Sequence, residues 1–141
     1  MTRRDTTTGA VLEAMVLPAL RRGGYAPRPQ VSIGQRFGGG RHVVDVVAED
    51  GSGHRFLVSL KWQQVSGTAE QKVPFEAISL ADAVIAGGGF YTKAYLVLGG
   101  RGWKLRDFFI EGGLKQYLRH ADLVTILSLE DFVAKANKGL L

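Results

Sequence analysis

Cysteine is absent from the 141 residues. That excludes a disulfide framework, a thiol nucleophile and any cysteine-ligated zinc or iron–sulfur centre. No segment approaches the roughly 18 apolar residues of a membrane-spanning helix. The N-terminus, Met1-Thr2-Arg3-Arg4-Asp5, is basic but lacks the apolar core and small-residue cleavage site of a secretory signal. A cytoplasmic protein with no membrane partner is therefore expected. His42, His54 and His120 share no metal-ligand spacing. A Gly-x-Ser-x-Gly elbow and a Walker lysine loop are both missing. Gly99-Gly100-Arg101-Gly102 resembles a phosphate loop but lacks the Lys-Ser/Thr ending. There is no internal repeat and no linker, so a single domain over 1–141 is expected.

What is present is a globular composition, 45% hydrophobic and 22% charged, with a net charge of +5 from 18 basic and 13 acidic residues. The basic excess favours an anionic partner, nucleic acid before membrane. Glycine is over-represented, 19 of 141, roughly twice the average share. With no collagen-like period, that excess marks particular turns and loops.

The pattern along the chain predicts an α/β order. Thr6-Thr7-Thr8-Gly9 offers capping hydroxyls. The apolar positions Leu12, Met15, Val16, Ala19 and Leu20 then predict a helix over about 9–22, stopped by Gly23-Gly24. Gln30–Gly34 alternates like a half-buried strand. Arg41–Ala48 (RHVVDVVA) and Arg55–Trp62 (RFLVSLKW) read as antiparallel strands joined by a turn at Asp50-Gly51-Ser52-Gly53. A helix ends at about Ala86 before Gly87-Gly88-Gly89. It starts either at Thr68, which has capping-box spacing with Gln71, or at Val73 with Pro74 at its first position. Tyr95–Leu98 is a continuous apolar run, hence a buried strand. Short helices over about Leu105–Glu111 and Leu114–His120, a strand Leu123–Leu127 and a helix capped by Ser128 complete the order.

The chemistry concentrates between Val43 and Lys72. Asp45 is a lone carboxylate in VVDVV, where a charge is costly to bury without a partner. Ser59 and Lys61 alternate on the return strand and share one face, which Gln63 continues. Val58, Leu60 and Trp62 form the opposite, core face. His42 neighbours this site but by alternation points away from it. Asp45 and Lys61 fit either a cross-strand ion pair or a phosphodiester-hydrolysing site. In the latter a carboxylate holds Mg²⁺ and a lysine orients or deprotonates the attacking water. A second carboxylate is then required, and Glu70, Glu76 and Glu13 are the candidates.

An acidic residue on one strand followed by (D/E)-x-K on the adjacent hairpin strand resembles the PD-(D/E)xK nuclease superfamily. Asp45 matches the first position and Lys61 the last. The resemblance implies a restriction-endonuclease-like fold: a mixed central sheet with an antiparallel hairpin, flanked by helices in an αβββαβ core. The layout and length are most similar to small archaeal-type Holliday-junction resolvases. Glu13, in the first helix, matches a helical glutamate that serves many members as an additional metal ligand; its other reading is a plain surface residue. Ser59 is a departure, because it stands where the second carboxylate belongs. Some members supply that carboxylate from the following helix, which favours Glu70, with Glu76 one to two turns further. Gln63 and Gln64 match the family's glutamine after the motif lysine.

The implied function is a Mg²⁺-dependent (or Mn²⁺-dependent) DNA endonuclease, structure-selective and homodimeric. Asp45, Lys61, Glu70 and Gln63 are its catalytic set, and Asp45, Glu70 and Glu13 its metal ligands. Arg36, Arg41, Lys72, Arg101 and Lys104 are the expected DNA contacts, Lys72 and the Arg101–Lys104 cluster reading equally as solvated residues. Glycines 38–40 are expected to form a mobile loop bordering the phosphate, and the C-terminal helix or Phe108-Phe109-Ile110 to offer the dimer surface. The alternatives are a short restriction or repair endonuclease, or an inactive nuclease-derived DNA-binding module, for which Ser59 is the best support.

Overall fold

The computed structural model describes residues 7–141; Met1–Asp5 and the expected capping residue Thr6 lie outside the described residues. The first helix runs as α1 (Thr7–Val11), a π-helical turn (Leu12–Val16) and α2 (Leu17–Arg22). Its buried stripe is Leu12, Val16, Leu17, Ala19 and Leu20, whereas Met15 is exposed. Pro18, which lacks an N–H, sits just after the π-helical turn, where the helical hydrogen-bond pattern is already irregular.

The strands β1 (Ala26–Gln35), β2 (Arg41–Glu49), β3 (Arg55–Trp62), β4 (Lys93–Gly99) and β5 (Val124–Ser128) form one sheet in the order β1-β2-β3-β4-β5. The first three are antiparallel neighbours, and β3, β4 and β5 are parallel. The β2–β3 turn is set by Asp50, whose Oδ1 accepts from the backbone N–H groups of Ser52 and His54 at 2.9 Å. The expected mixed sheet flanked by helices is therefore the observed architecture.

Helix α3 (Ala69–Ala86) crosses one face of the sheet with Val73, Ala77, Leu80, Ala81 and Val84 buried against Val44, Val47, Leu57 and Leu96. The first helix and α5 (Leu129–Asn137) cover the other face, over Val46, Ala48, Val58, Leu60, Tyr95 and Val97. Ser128 caps α5 by accepting from the Asp131 N–H at 3.1 Å, as expected. Helix α5 buries Leu129, Phe132 and Ala136 in the core and leaves Glu130, Asp131 and Ala134 exposed on its outer face. Of the Phe108–Ile110 run, in α4 (Arg106–Ile110), Phe109 is buried as well.

Three expectations are corrected here. Helix α3 starts at Ala69 with Pro74 inside it, and Thr68 makes no side-chain cap. The capping is done instead by Gln63, whose Oε1 accepts from the Ala69 N–H at 2.9 Å. The apolar positions Val73, Ala77, Ala81, Val84 and Ile85 predict the buried stripe of this helix, but Ile85 is exposed. The expected helix over 114–120 is reduced to 3₁₀ turns at Gly113–Gln116 and Ala121–Leu123, with Gly112 and His120 in the left-handed region between and around them.

The sheet opens at one place. Strand β2 pairs with β3 from Glu49 to Val46, whereas its pairing with β1 continues past Val44. In register, Leu60 would next face Val44. Instead the Asp45 carboxylate takes the Leu60 N–H at 2.6 Å. Alternation along β2 breaks at the same point: Val44 and Val47 both pack on the α3 side, and Val46 and Ala48 on the other. Gln30, between the residues that pair with Val44 and Val46, has a positive φ of 54°. The side chain thus replaces a ladder bond, and the two strands splay around a polar gap.

Candidate active site

That gap is an open cleft of about 320 Å³, lined by Thr8, Arg36, Asp45, Ser59, Lys61, Lys72 and Glu76 among others. Strand β3 delivers Ser59 and Lys61 to the α3 side, because Val58 and Leu60 are committed to the opposite core layer. Helix α3 delivers Glu76 because position 76 falls on its buried stripe, three residues after Val73 and four before Leu80. A carboxylate on that stripe must find partners, and Glu76, 2% exposed, has several. Its Oε2 accepts from the Ser59 hydroxyl at 2.8 Å, with the Lys61 Nζ at 3.7 Å. Its Oε1 accepts from the Arg36 Nη1 at 2.8 Å. The His42 Nε2 stands 3.0 Å from the same oxygen, at ion-pair distance but without the linear geometry of a hydrogen bond.

The two carboxylates titrate in opposite directions. Burial alone would raise Glu76, but His42, the Lys61 charge, Ser59 and Arg36 together lower it to about 2. Asp45 is raised above the ordinary aspartate range by burial, and the negative charge of Glu76 adds to this. The Leu60 N–H and the Lys61 charge only partly offset the rise.

Several expected site residues lie elsewhere. Glu70 does not line the cleft; its Oε1 accepts from the Leu105 N–H at 2.8 Å and ties the first turn of α3 to the loop after β4. Glu76, two turns further, is the helical carboxylate that meets Ser59 and Lys61. Gln63 is buried and spent on structure. Its Nε2 donates to the Gly102 carbonyl at 2.7 Å, and its Oε1 caps α3. Glu13 is exposed and does not line the cleft, and Thr8 is the residue the first helix contributes. Arg41, Arg101 and Lys104 are exposed and outside the cleft lining, while Lys72 is exposed on its rim.

The loop glycines also have a different reason from the expected one. A Cβ at Gly100 would lie 2.4 Å from the Gln63 carbonyl oxygen, and one at Gly102 would lie 2.5 Å from the Val65 backbone. These glycines admit the chain's own backbone rather than a phosphate. Glycines 38–40 form a closed turn, with the Arg36 N–H on the Gly40 carbonyl at 2.6 Å and left-handed φ at Gly38 and Gly39.

His42 is the residue that sequence reasoning missed. Its only signal was adjacency to Asp45, and strict alternation turned it the wrong way because alternation fails at Asp45. Glu76 lies at stripe spacing from Val73 and Leu80, but Glu70 also stands three residues from Val73, so the spacing alone does not choose between them.

A sequence model described as a PD-(D/E)XK nuclease superfamily domain matches residues 4–140. The chain belongs to the PD-(D/E)XK nuclease superfamily. Among solved structures, the chain is similar to a protein of unknown function at 13% identity. That match has a TM-score of 0.47 and covers 80% of this chain and 54% of the other. It is also similar to a repair endonuclease from Pyrococcus abyssi at 14% identity, with a TM-score of 0.46, covering 91% of this chain and 47% of that one. The chain thus spans about half the length of these structures. No curated protein matches significantly.

Members of this superfamily usually use a divalent metal ion, and the donor set can be tested against that chemistry. Among the described residues no group of three or more His, Asp or Glu is arranged to hold a metal, so an all-protein cage of the zinc type is not available. Mg²⁺ asks for less. It binds through one or two carboxylates, keeps several waters and takes further oxygens from a phosphate. Asp45 and Glu76 line one cleft and meet that requirement. Asp45 in particular is a half-buried carboxylate that accepts a hydrogen bond from the Leu60 N–H and lines the open cleft. The residues present fit Mg²⁺ or Mn²⁺. Among the described residues, no helix is long and apolar enough to cross a membrane.

Proposed function

We propose that this chain is a metal-dependent DNA endonuclease in which Asp45, Glu76 and Lys61 form the catalytic set. One observation carries the reading: the Glu76 Oε2 sits 2.8 Å from the Ser59 hydroxyl. A helical carboxylate therefore occupies the neighbourhood from which the (D/E)-x-K carboxylate is missing. This contact also argues against the inactive binding module, which Ser59 alone would favour.

Asp45 and Glu76 would hold the Mg²⁺. When bound, that ion neutralises phosphate charge and lowers the pKa of a coordinated water. Lys61, on the same strand face as Ser59 and near Glu76, orients the attacking water and stabilises charge developing on the phosphate. Hydrolysis joins the water oxygen to phosphorus, breaks one P–O ester bond and transfers a proton to the leaving oxygen. Lys72 on the rim contacts the DNA backbone. Arg101 and Lys104, which follow β4 at the end of the sheet nearest Lys61, extend that basic surface.

The finer reading, selectivity for branched DNA by a homodimer, rests on the similarity of layout to archaeal-type junction resolvases. Cleavage of a four-way junction, a linear duplex and a single strand in Mg²⁺ tests both levels. Wild type should cut at least one substrate, and Lys61→Ala should lose about 100-fold or more. Equal cleavage by both proteins, or none by either, would sink the enzymatic reading. Preference for the duplex over the junction would sink only the finer one.

A further inference from the structure

The Glu76 carboxylate is engaged on both oxygens by the protein's own donors. Ser59 and His42 are 2% exposed and sit on paired strands of the sheet. Lys61 is the attacking-water residue of the proposed site. Arg36 differs from these three. It follows the last residue of β1 on the turn closed by Gly38, Gly39 and Gly40, and a quarter of its side chain is open to the cleft. A register shift between Ser32 and Gln35 loosens the strand pairing just before it. Arg36 reaches Glu76 from beyond the end of β1, so its side chain can turn away without disturbing the strand pairing.

A carboxylate offers about four lone-pair sites, and Glu76 has three close partners plus Lys61. We infer that Arg36 is a displaceable counter-ion: it holds the Glu76 Oε1 while the cleft is without a divalent cation, and turns to the scissile phosphate when Glu76 becomes a metal ligand. The guanidinium suits both positions, since its planar fork of donors matches carboxylate and phosphate oxygens alike. Arg36 then does two opposed things. It competes with the metal for Glu76, and it adds to DNA binding once displaced. A purely structural ion pair would do neither. This inference rests on the nuclease reading above.

Calorimetric titration of Mn²⁺ into the full chain separates the possibilities, with thermal melts run on every variant. Arg36→Ala should bind Mn²⁺ about tenfold more tightly than wild type, and Glu76→Gln should lose the binding. In Ca²⁺, which is expected to support binding without cleavage, Arg36→Ala should hold a fluorescein-labelled duplex several-fold more weakly than wild type. Arg36→Lys, which keeps the charge but not the fork, should fall between on both readouts, and it replaces Arg36→Ala if that variant does not melt cooperatively. Equal or weaker Mn²⁺ binding by Arg36→Ala overturns the displacement while leaving the metal site standing. Tighter Mn²⁺ with unchanged DNA binding overturns the transfer to phosphate. Absence of Mn²⁺ binding in wild type and both Arg36 variants overturns the inference together with the nuclease reading.

Discussion

Asp45 and Glu76 face the same cleft from opposite walls, one from a strand that leaves its ladder and one from the buried stripe of a helix. Glu76 is buried and Asp45 half-buried, and the surroundings push them in opposite directions. Glu76 is overcompensated: two side-chain hydrogen bonds, a histidine and a lysine hold its charge. Asp45 has the Leu60 N–H and the Lys61 charge, and Glu76 works against it. A fold does not position two charges this way for stability, because an undercompensated buried carboxylate costs free energy. The asymmetry is compatible with the divalent-cation site proposed above, in which one carboxylate is positioned by donors and the other carries less compensated charge.

The sharpest way to break this comparison uses the two glutamates of α3. Glu76→Gln should reduce Mg²⁺-dependent cleavage about 100-fold or more, while Glu70→Ala should leave it within about twofold, as expected for a residue that only ties the helix to Leu105. A large loss at Glu70 and none at Glu76 would reassign the second carboxylate.

The next effect is on stability and its pH dependence. Removing the charge of Glu76 leaves Arg36, Lys61 and His42 around a neutral amide, a loss of about 3 kcal/mol. Glu76 has a folded pKa of about 2 against an ordinary 4.5, so its contribution is complete above 4.5 and disappears as pH falls towards 2. Urea unfolding between pH 2 and 6 should therefore show a slope in wild type that is much weaker in Glu76→Gln.

Gln63→Ala is the third test. Both ends of the amide are hydrogen-bonded, so the variant leaves the Gly102 carbonyl and the Ala69 N–H unmatched. It should lose about 1–3 kcal/mol, read as a lower melting midpoint, with metal binding retained. Loss of metal affinity without loss of stability would return Gln63 to the catalytic set.

The smallest effect carries the opposite sign. A raised folded pKa means that Asp45 subtracts stability as pH rises through its ordinary 3.8 towards the folded value. Asp45→Asn keeps an acceptor for the Leu60 N–H and removes the buried charge. It should melt higher than wild type at pH 7, while losing cleavage. A lower midpoint would show that Asp45 is a structural ion-pair partner.

Much of this was legible in the residues. The strands 41–48 and 55–62 are β-branched or alternating and bounded by an Asp-Gly-Ser-Gly turn, so their pairing was fixed locally. The placing of Ser59 and Lys61 on one face followed from the two-residue period. The choice of Glu76 over Glu70 was less accessible. Both sit at spacings compatible with the α3 stripe, and what separates them is how far the helix extends over the sheet. That distance depends on where α3 starts, and its start is capped by a glutamine from another segment rather than by its own Thr68. His42 was hidden for a related reason. Alternation presumes a continuous ladder, and here a side chain interrupts it.

The sequence by itself determined the order of elements, the motif strands and the family to which they belong, because these rest on short-range periodicity and turn chemistry. Only the tertiary structure decided which glutamate meets Ser59 and Lys61, that Arg36 and His42 contact it, and that Gly100 and Gly102 make room for the backbone of Gln63 and Val65. Each of those depends on contacts between residues 15 to 40 positions apart, where no local pattern reaches and close packing sets the outcome.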